Sequence, residues 1–221
     1  MLIRYGILKP LLALILLLSV THRGGAEESL PLASFGAGLS GGIYSARTNS
    51  ANSTWKAGPG YGGGLVFEKM WNSRFGIHSG FWYHIISMKM VESNEGKESQ
   101  EMKLKSDIFQ MPLCLLVAFR AGSFSLNPLA GFSVIYVRKT VLENDTNEGT
   151  FSANVSRYMA KSQLGMLAGL EFKYALGRFT DLFLITEGEY CFTKLIRADS
   201  DKKDFLYSGR LLAGVMLRTF R

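Results

Sequence analysis

Residues 161–192 read KSQLGMLAGLEFKYALGRFTDLFLITEGEYCF, two long runs of alternating character on which the fold assignment turns. In the first run Leu164, Met166, Ala168, Leu170, Phe172 and Tyr174 fall on one side, with Lys161, Gln163, Gly165, Gly169, Glu171 and Lys173 on the other. After Leu176, Gly177 and Arg178 the pattern resumes, with Leu182, Leu184, Tyr190 and Phe192 opposing Asp181, Glu187, Glu189 and Cys191. A period of two belongs to a β-strand, whose successive side chains point to opposite faces. Each run exceeds the about five or six residues of an ordinary soluble strand. Each is long enough for a tilted membrane strand, which needs about 9–11 residues.

The same alternation recurs along the chain in eight segments, at 34–45, 57–68, 74–89, 104–120, 123–140, 158–175, 179–194 and 205–220. In the last, Phe205, Tyr207, Leu211, Val215 and Leu217 oppose Ser208, Arg210, Gly214 and Arg218. The connections are short at 69–73, 121–122 and 176–178, and long and polar at 46–56, 90–103, 141–157 and 195–204. That sorting is the pattern of outer-membrane barrels, with short periplasmic turns and longer external loops. One apolar and one polar face per strand suits a wall with lipid outside and a polar lumen, whereas a soluble barrel reverses the two. The expectation is an all-β, eight-stranded antiparallel up-and-down transmembrane barrel in a bacterial outer membrane. The alternatives are a narrow pore or accessory component of an envelope transport or secretion system, and a soluble lipocalin-like ligand binder.

The start of the chain agrees with that compartment. Arg4 and Lys9 precede the apolar run LLALILLLSV at 11–20, and Gly24 and Ala26 supply the small residues of a cleavage site before Glu27. This order predicts a signal peptide at 1–26 and a barrel domain at 27–221. Without Arg4, Lys9 and Arg23 the formal charge falls from +7 to +4, too mild a balance for nucleic acid as a partner. With no second long apolar run, insertion must use strands.

Four stretches then carry a family resemblance: DIFQMPL at 107–113, PLAG at 128–131, LGMLAGLEFKYALGRF at 164–179 and EGEYCF at 187–192. Together they resemble the PorT-like outer-membrane β-barrel family. The resemblance implies a barrel over nearly all of the mature chain and brings no catalytic residues or cofactor with it. One departure is the C-terminus, Thr219, Phe220 and Arg221, where such barrels usually end on an aromatic residue.

Parity places Lys161, Glu171, Glu187, Glu189 and Arg210 in the lumen. Paired carboxylates can perform acid–base chemistry, but an eight-stranded barrel is just wide enough for side chains to fill it. Buried charges there must be paired, so the expectation is an internal ion-pair plug and no enzyme. His78 and His84 share the lumen side six residues apart, about 20 Å at about 3.3 Å per residue, too far to share one metal ion. No metal or cofactor is expected. GYGGG at 60–64 lacks the Lys and Ser/Thr of a phosphate loop, and there is no G-x-S-x-G. Cys114 and Cys191 share lumen parity at different heights and are expected not to bridge. Sequons at Asn52, Asn144 and Asn154 fall in the polar connections. The expected partners are membrane lipid and, through the long connections, an envelope or extracellular protein.

Overall fold

The computed structural model describes residues 33–48, 53–92, 100–146, 149–196 and 204–219. The expected leader at 1–26, Asn52, Phe220 and Arg221 lie outside the described residues. The strands are β1 (Ala33–Arg47), β2 (Ser53–Lys56), β3 (Gly58–Met70), β4 (Phe75–Glu92), β5 (Gln100–Val117), β6 (Phe119–Ala121), β7 (Phe124–Thr146), β8 (Gly149–Asn154), β9 (Ser162–Ala175), β10 (Thr180–Cys191) and β11 (Phe205–Thr219). Eight of them, β1, β3, β4, β5, β7, β9, β10 and β11, pair antiparallel into a closed ring, and β2, β6 and β8 pair at its rims. No helix among the described residues is long and apolar enough to cross a membrane. Closure leaves the spanning strands without an unpaired edge, which a hydrocarbon environment requires.

The ring is strongly staggered. From Gly38, the pairs through Gly64, Trp82 and Gln110 reach Ile135 on β7. In the other direction, Gly214, Phe183 and Lys173 lead to Ser125 on the same strand, ten residues lower. A stagger of this kind is what tilts the strands of a barrel.

Sequence chemistry sets the turns. Gly122, at φ 60°, occupies the left-handed region in the turn between β6 and β7, where a side chain would be strained. In the turn before β4, the Asn72 carboxamide oxygen accepts from the backbone N–H groups of Arg74 (2.9 Å) and Phe75 (2.7 Å). Pro112 cannot donate within the β4–β5 ladder, which skips from Ser79–Leu113 to Trp82–Gln110. The Ser79 hydroxyl donates to the Pro112 carbonyl there (2.9 Å).

The outer face carries a band of exposed apolar side chains, among them Leu39, Leu65, Leu115, Leu182 and Leu211. Exposed aromatics flank it, with Tyr61, Tyr136, Tyr190 and Tyr207 above and Trp71, Phe75, Phe124 and Phe179 beside the short turns. This is the outward dress of a lipid-facing barrel. It excludes the soluble lipocalin-like alternative.

The long connections differ from expectation. Much of 90–103 and 141–157 is strand, because β4 and β5 stay paired to Glu92–Gln100 and β7 folds back on β8 from Thr146–Gly149. β2 joins this extension through β4. The neighbouring order β2, β4, β5, β7, β8 therefore stands above the lipid band as one sheet. The β9, β10, β11 and β1 side stops lower.

Candidate functional site

The lumen is the place to look for buried chemistry, and it is filled. Its upper part holds an apolar cluster that includes Tyr44, Trp55, Met88, Leu104, Met159 and Leu206. Leu195 and Ile196, beyond β10, pack into this cluster, and Trp55 Nε1 donates to Asp204 Oδ1 (3.2 Å) across the mouth. A second cluster around Trp82, Phe183 and Met216 fills the lower part. Glycine makes the room: a Cβ on Gly60 would lie 2.3 Å from the Tyr44 ring, and one on Gly64 2.7 Å from Trp82. The glycines of β1 and β3 thus make room for the largest lumen side chains, on their own and neighbouring strands.

Two polar networks are set among these apolar layers. In the upper one, Arg210 Nη2 lies 2.7 Å from Glu187 Oε1 and 3.0 Å from Glu189 Oε2. Arg210 Nη1 donates to the Gln110 carboxamide oxygen, and Gln110 Nε2 donates to Glu189 (3.1 Å). Ser133 also donates to Glu189, while His84 bridges Gln110 (3.2 Å) and Ser40 (3.0 Å). Gly42 clears the space for the arginine, since a Cβ there would lie 2.7 Å from Arg210 Cγ.

The lower network lies near the short turns. Lys173 Nζ contacts both Glu68 and Glu171, the latter at 3.2 Å. His78 Nδ1 lies 3.0 Å from Glu68, and Asn127 Nδ2 donates to Glu171 (2.7 Å). Glu68, His78 and Glu171 each bring a ligand-type atom within 4.8 Å of the others. The Lys173 ammonium bonds both carboxylates and so takes the part a cation would play there. Below it Arg218 grips Asp181, with Nε donating at 2.6 Å.

A family model for the outer membrane protein beta-barrel domain matches residues 27–197. The chain belongs to that family. It is an outer-membrane β-barrel. Similar solved structures are the attachment invasion locus protein Ail of Yersinia pestis, at 18% identity over 85% of this chain and 99% of that one, TM-score 0.39. Neisserial surface protein A is similar at 16% identity over 84% and 98%, TM-score 0.41. The outer-membrane protease OmpT of Escherichia coli is similar at 10% over 90% and 99%, TM-score 0.46. Nothing matches among curated proteins.

In this outer-membrane barrel Glu171, Glu187, Glu189 and Arg210 are buried in the lumen, but they divide between the two networks. Lys161 does not join them. It is exposed in a bend just before β9, and its carbonyl accepts from Val137 N–H (2.8 Å). The correct parity of Lys161 counts for nothing there, because the strand that would turn it inward starts at Ser162. Lys173, on the same face of the same strand, is the cation that meets Glu171. Glu68 and Gln110 escape sequence reasoning. Their only signal is lumen parity, and nothing local tells which residues lie across the lumen. His78 and His84 serve different networks. Cys114 lies in the lower apolar cluster and Cys191 in the upper, and both are free.

Above the band the chemistry changes sides. Lys56 and Glu101 lie 3.1 Å apart, Lys89 also reaches Glu101, and Lys105 and Glu143 lie 2.8 Å apart. Glu101 is exposed, and the hydrogen bonds from Lys89 and Lys56 hold its carboxyl below its ordinary range.

Proposed function

We propose that this barrel is a non-enzymatic surface-interaction protein whose working part is the sheet above the lipid. We place it near the PorT-like branch of its family, a reading supported by the DIFQMPL and PLAG stretches. The observation that carries the proposal is the β8 edge of the raised sheet. Among the described residues β8 pairs only with β7, which leaves its other edge a row of backbone donors and acceptors for a partner. An extended partner segment can add to such an edge as another strand. The β8 edge, GTFSAN, carries no Lys or Pro to discourage pairing, and its Phe151 is exposed.

The lumen supports the same reading. Its carboxylates are engaged by Arg210 and Lys173 and sealed beneath an apolar cap, which leaves a substrate no route to them. The same filling weighs against a narrow pore.

A photo-crosslinking residue at Phe151, in cells, tests the proposal. The expected product is a discrete adduct with an envelope or extracellular protein, absent when the residue replaces Trp71 beside a short turn. Adducts only from position 71, or steady ion conductance of the purified barrel in a planar bilayer, would overturn it.

A further inference from the structure

A β-bulge marks the upper edge of the lipid band on β7. Asp107 pairs with Lys139, but the next residue, Ile108, pairs with Val137, so Arg138 is the extra residue. Val137 and Thr140 are buried while Arg138 and Lys139 between them are both exposed. Regular alternation would have turned one of the two inward. A bulge is a common device for re-aiming a side chain. Here it puts two cations side by side on the outer face, directly above the exposed Tyr136.

Two more cations flank them. Val137 N–H donates to the Lys161 carbonyl at 2.8 Å, which sets exposed Lys161 against the bulge from the β9 side. On the β5 side stands Lys105. The acids of this patch are Asp107 and Glu143, and Glu143 is taken by Lys105 (2.8 Å). Among the described residues, Arg138, Lys139 and Lys161 form no ion pair, so three cations face one remaining acid.

We propose that Arg138, Lys139 and Lys161 form a binding site for the phosphate groups of an anionic glycolipid in the outer leaflet. Position selects the occupant. The patch lies on the outward face, continuous with the apolar band, where a lipid headgroup stands and where acyl chains can lie along Tyr136 and Val134 below. A soluble polyanion would gain nothing from that apolar continuation. Arginine supplies a planar fork matched to phosphate oxygens, and the lysines add point charges. The same chemistry explains why a cation of lumen parity, Lys161, is kept outside the barrel.

The test uses the full-length barrel in detergent, titrated with bis-phosphorylated lipid A and, in parallel, with the same lipid after phosphate removal. Each basic residue beside an anionic surface is worth about a fivefold change in affinity. The triple variant Arg138→Gln, Lys139→Gln, Lys161→Gln should therefore bind the phosphorylated lipid on the order of a hundredfold more weakly. It should still run as a heat-modifiable folded barrel. The double variant Lys56→Gln, Lys89→Gln, which removes the same kind of charge elsewhere on the sheet, should keep wild-type affinity. Equal binding by the triple variant, or wild-type binding indifferent to the lipid's phosphates, would overturn the proposal. So would a soluble sulfated oligosaccharide that binds as tightly as the lipid and depends on the same three residues. If the triple variant fails to fold, single Gln variants take its place, each expected to lose about fivefold.

Discussion

The two sides of the barrel are built from the same alternating code and end differently. β4 and β5 each run 18 residues and β7 runs 23, whereas β9, β10, β11 and β1 run 14, 12, 15 and 15. The short side ends near Tyr190 and Tyr207, at the upper aromatics. The tall side passes that level, and only its outward residues change, from Phe81, Leu113 and Val134 within lipid to Lys89, Lys105 and Lys139 above it. Inward residues stay mostly apolar, as with Met88 and Leu104. The period reports the strand, and the polarity of the outward set reports the solvent.

The largest effect should come from the contact that ties the two sides together. Arg210, on the short side, holds Glu187 and Glu189 of β10 and reaches Gln110 of the tall side. Arg210→Met leaves two buried carboxylates without their cation, which should cost about 3–5 kcal/mol. Urea unfolding of the barrel in lipid checks this, and an unshifted midpoint would mean the lumen is wetter than its packing implies. Next, Leu170→Arg, within β9 on the lipid face, should cost about 2–4 kcal/mol. Val141→Arg, outward on the tall side above the lipid, should stay within about 0.5 kcal/mol. Similar costs at the two positions would erase the boundary drawn between the regions.

A smaller change should follow loss of the link across the mouth. Trp55→Phe removes the donor to Asp204 and should cost about 1.5–3 kcal/mol, the range for a hydrogen bond to a charged group. Hydrogen exchange should quicken at the start of β11 and not in β10. The smallest effect belongs to Glu101→Gln, which unlinks Lys56 and Lys89 at the exposed top. Because the folded carboxyl titrates below its ordinary range, its contribution is present at neutral pH and lost as pH falls through that depressed value. The change should show only as faster amide exchange at the paired upper ends of β4 and β5, and should vanish at high salt.

Alternation is a local property, and it makes the eight spanning strands, their lipid faces and their short turns legible in the chain itself. It also puts Glu171, Glu187, Glu189 and Arg210 inside. It misreads the tall side as polar loops. Glu101, Lys103 and Asn144 look like loop composition, and only cross-strand pairing distinguishes a water-facing strand from a connection. Lys161 fails for a related reason, since parity assigns a face only while the strand continues. The partners across the lumen have no local signature at all. The ten-residue stagger of the closed ring selects which inward residues share a level. That stagger brings Lys173 to Glu68, and Gln110 to Arg210, from positions about a hundred residues apart. Strands and outer faces are thus written in the amino-acid order, because each side chain's neighbours along its own strand suffice to set them. The ion networks, the raised sheet and the outward bulge at Arg138 arise only in the assembled barrel, because closure and register are properties of the whole ring.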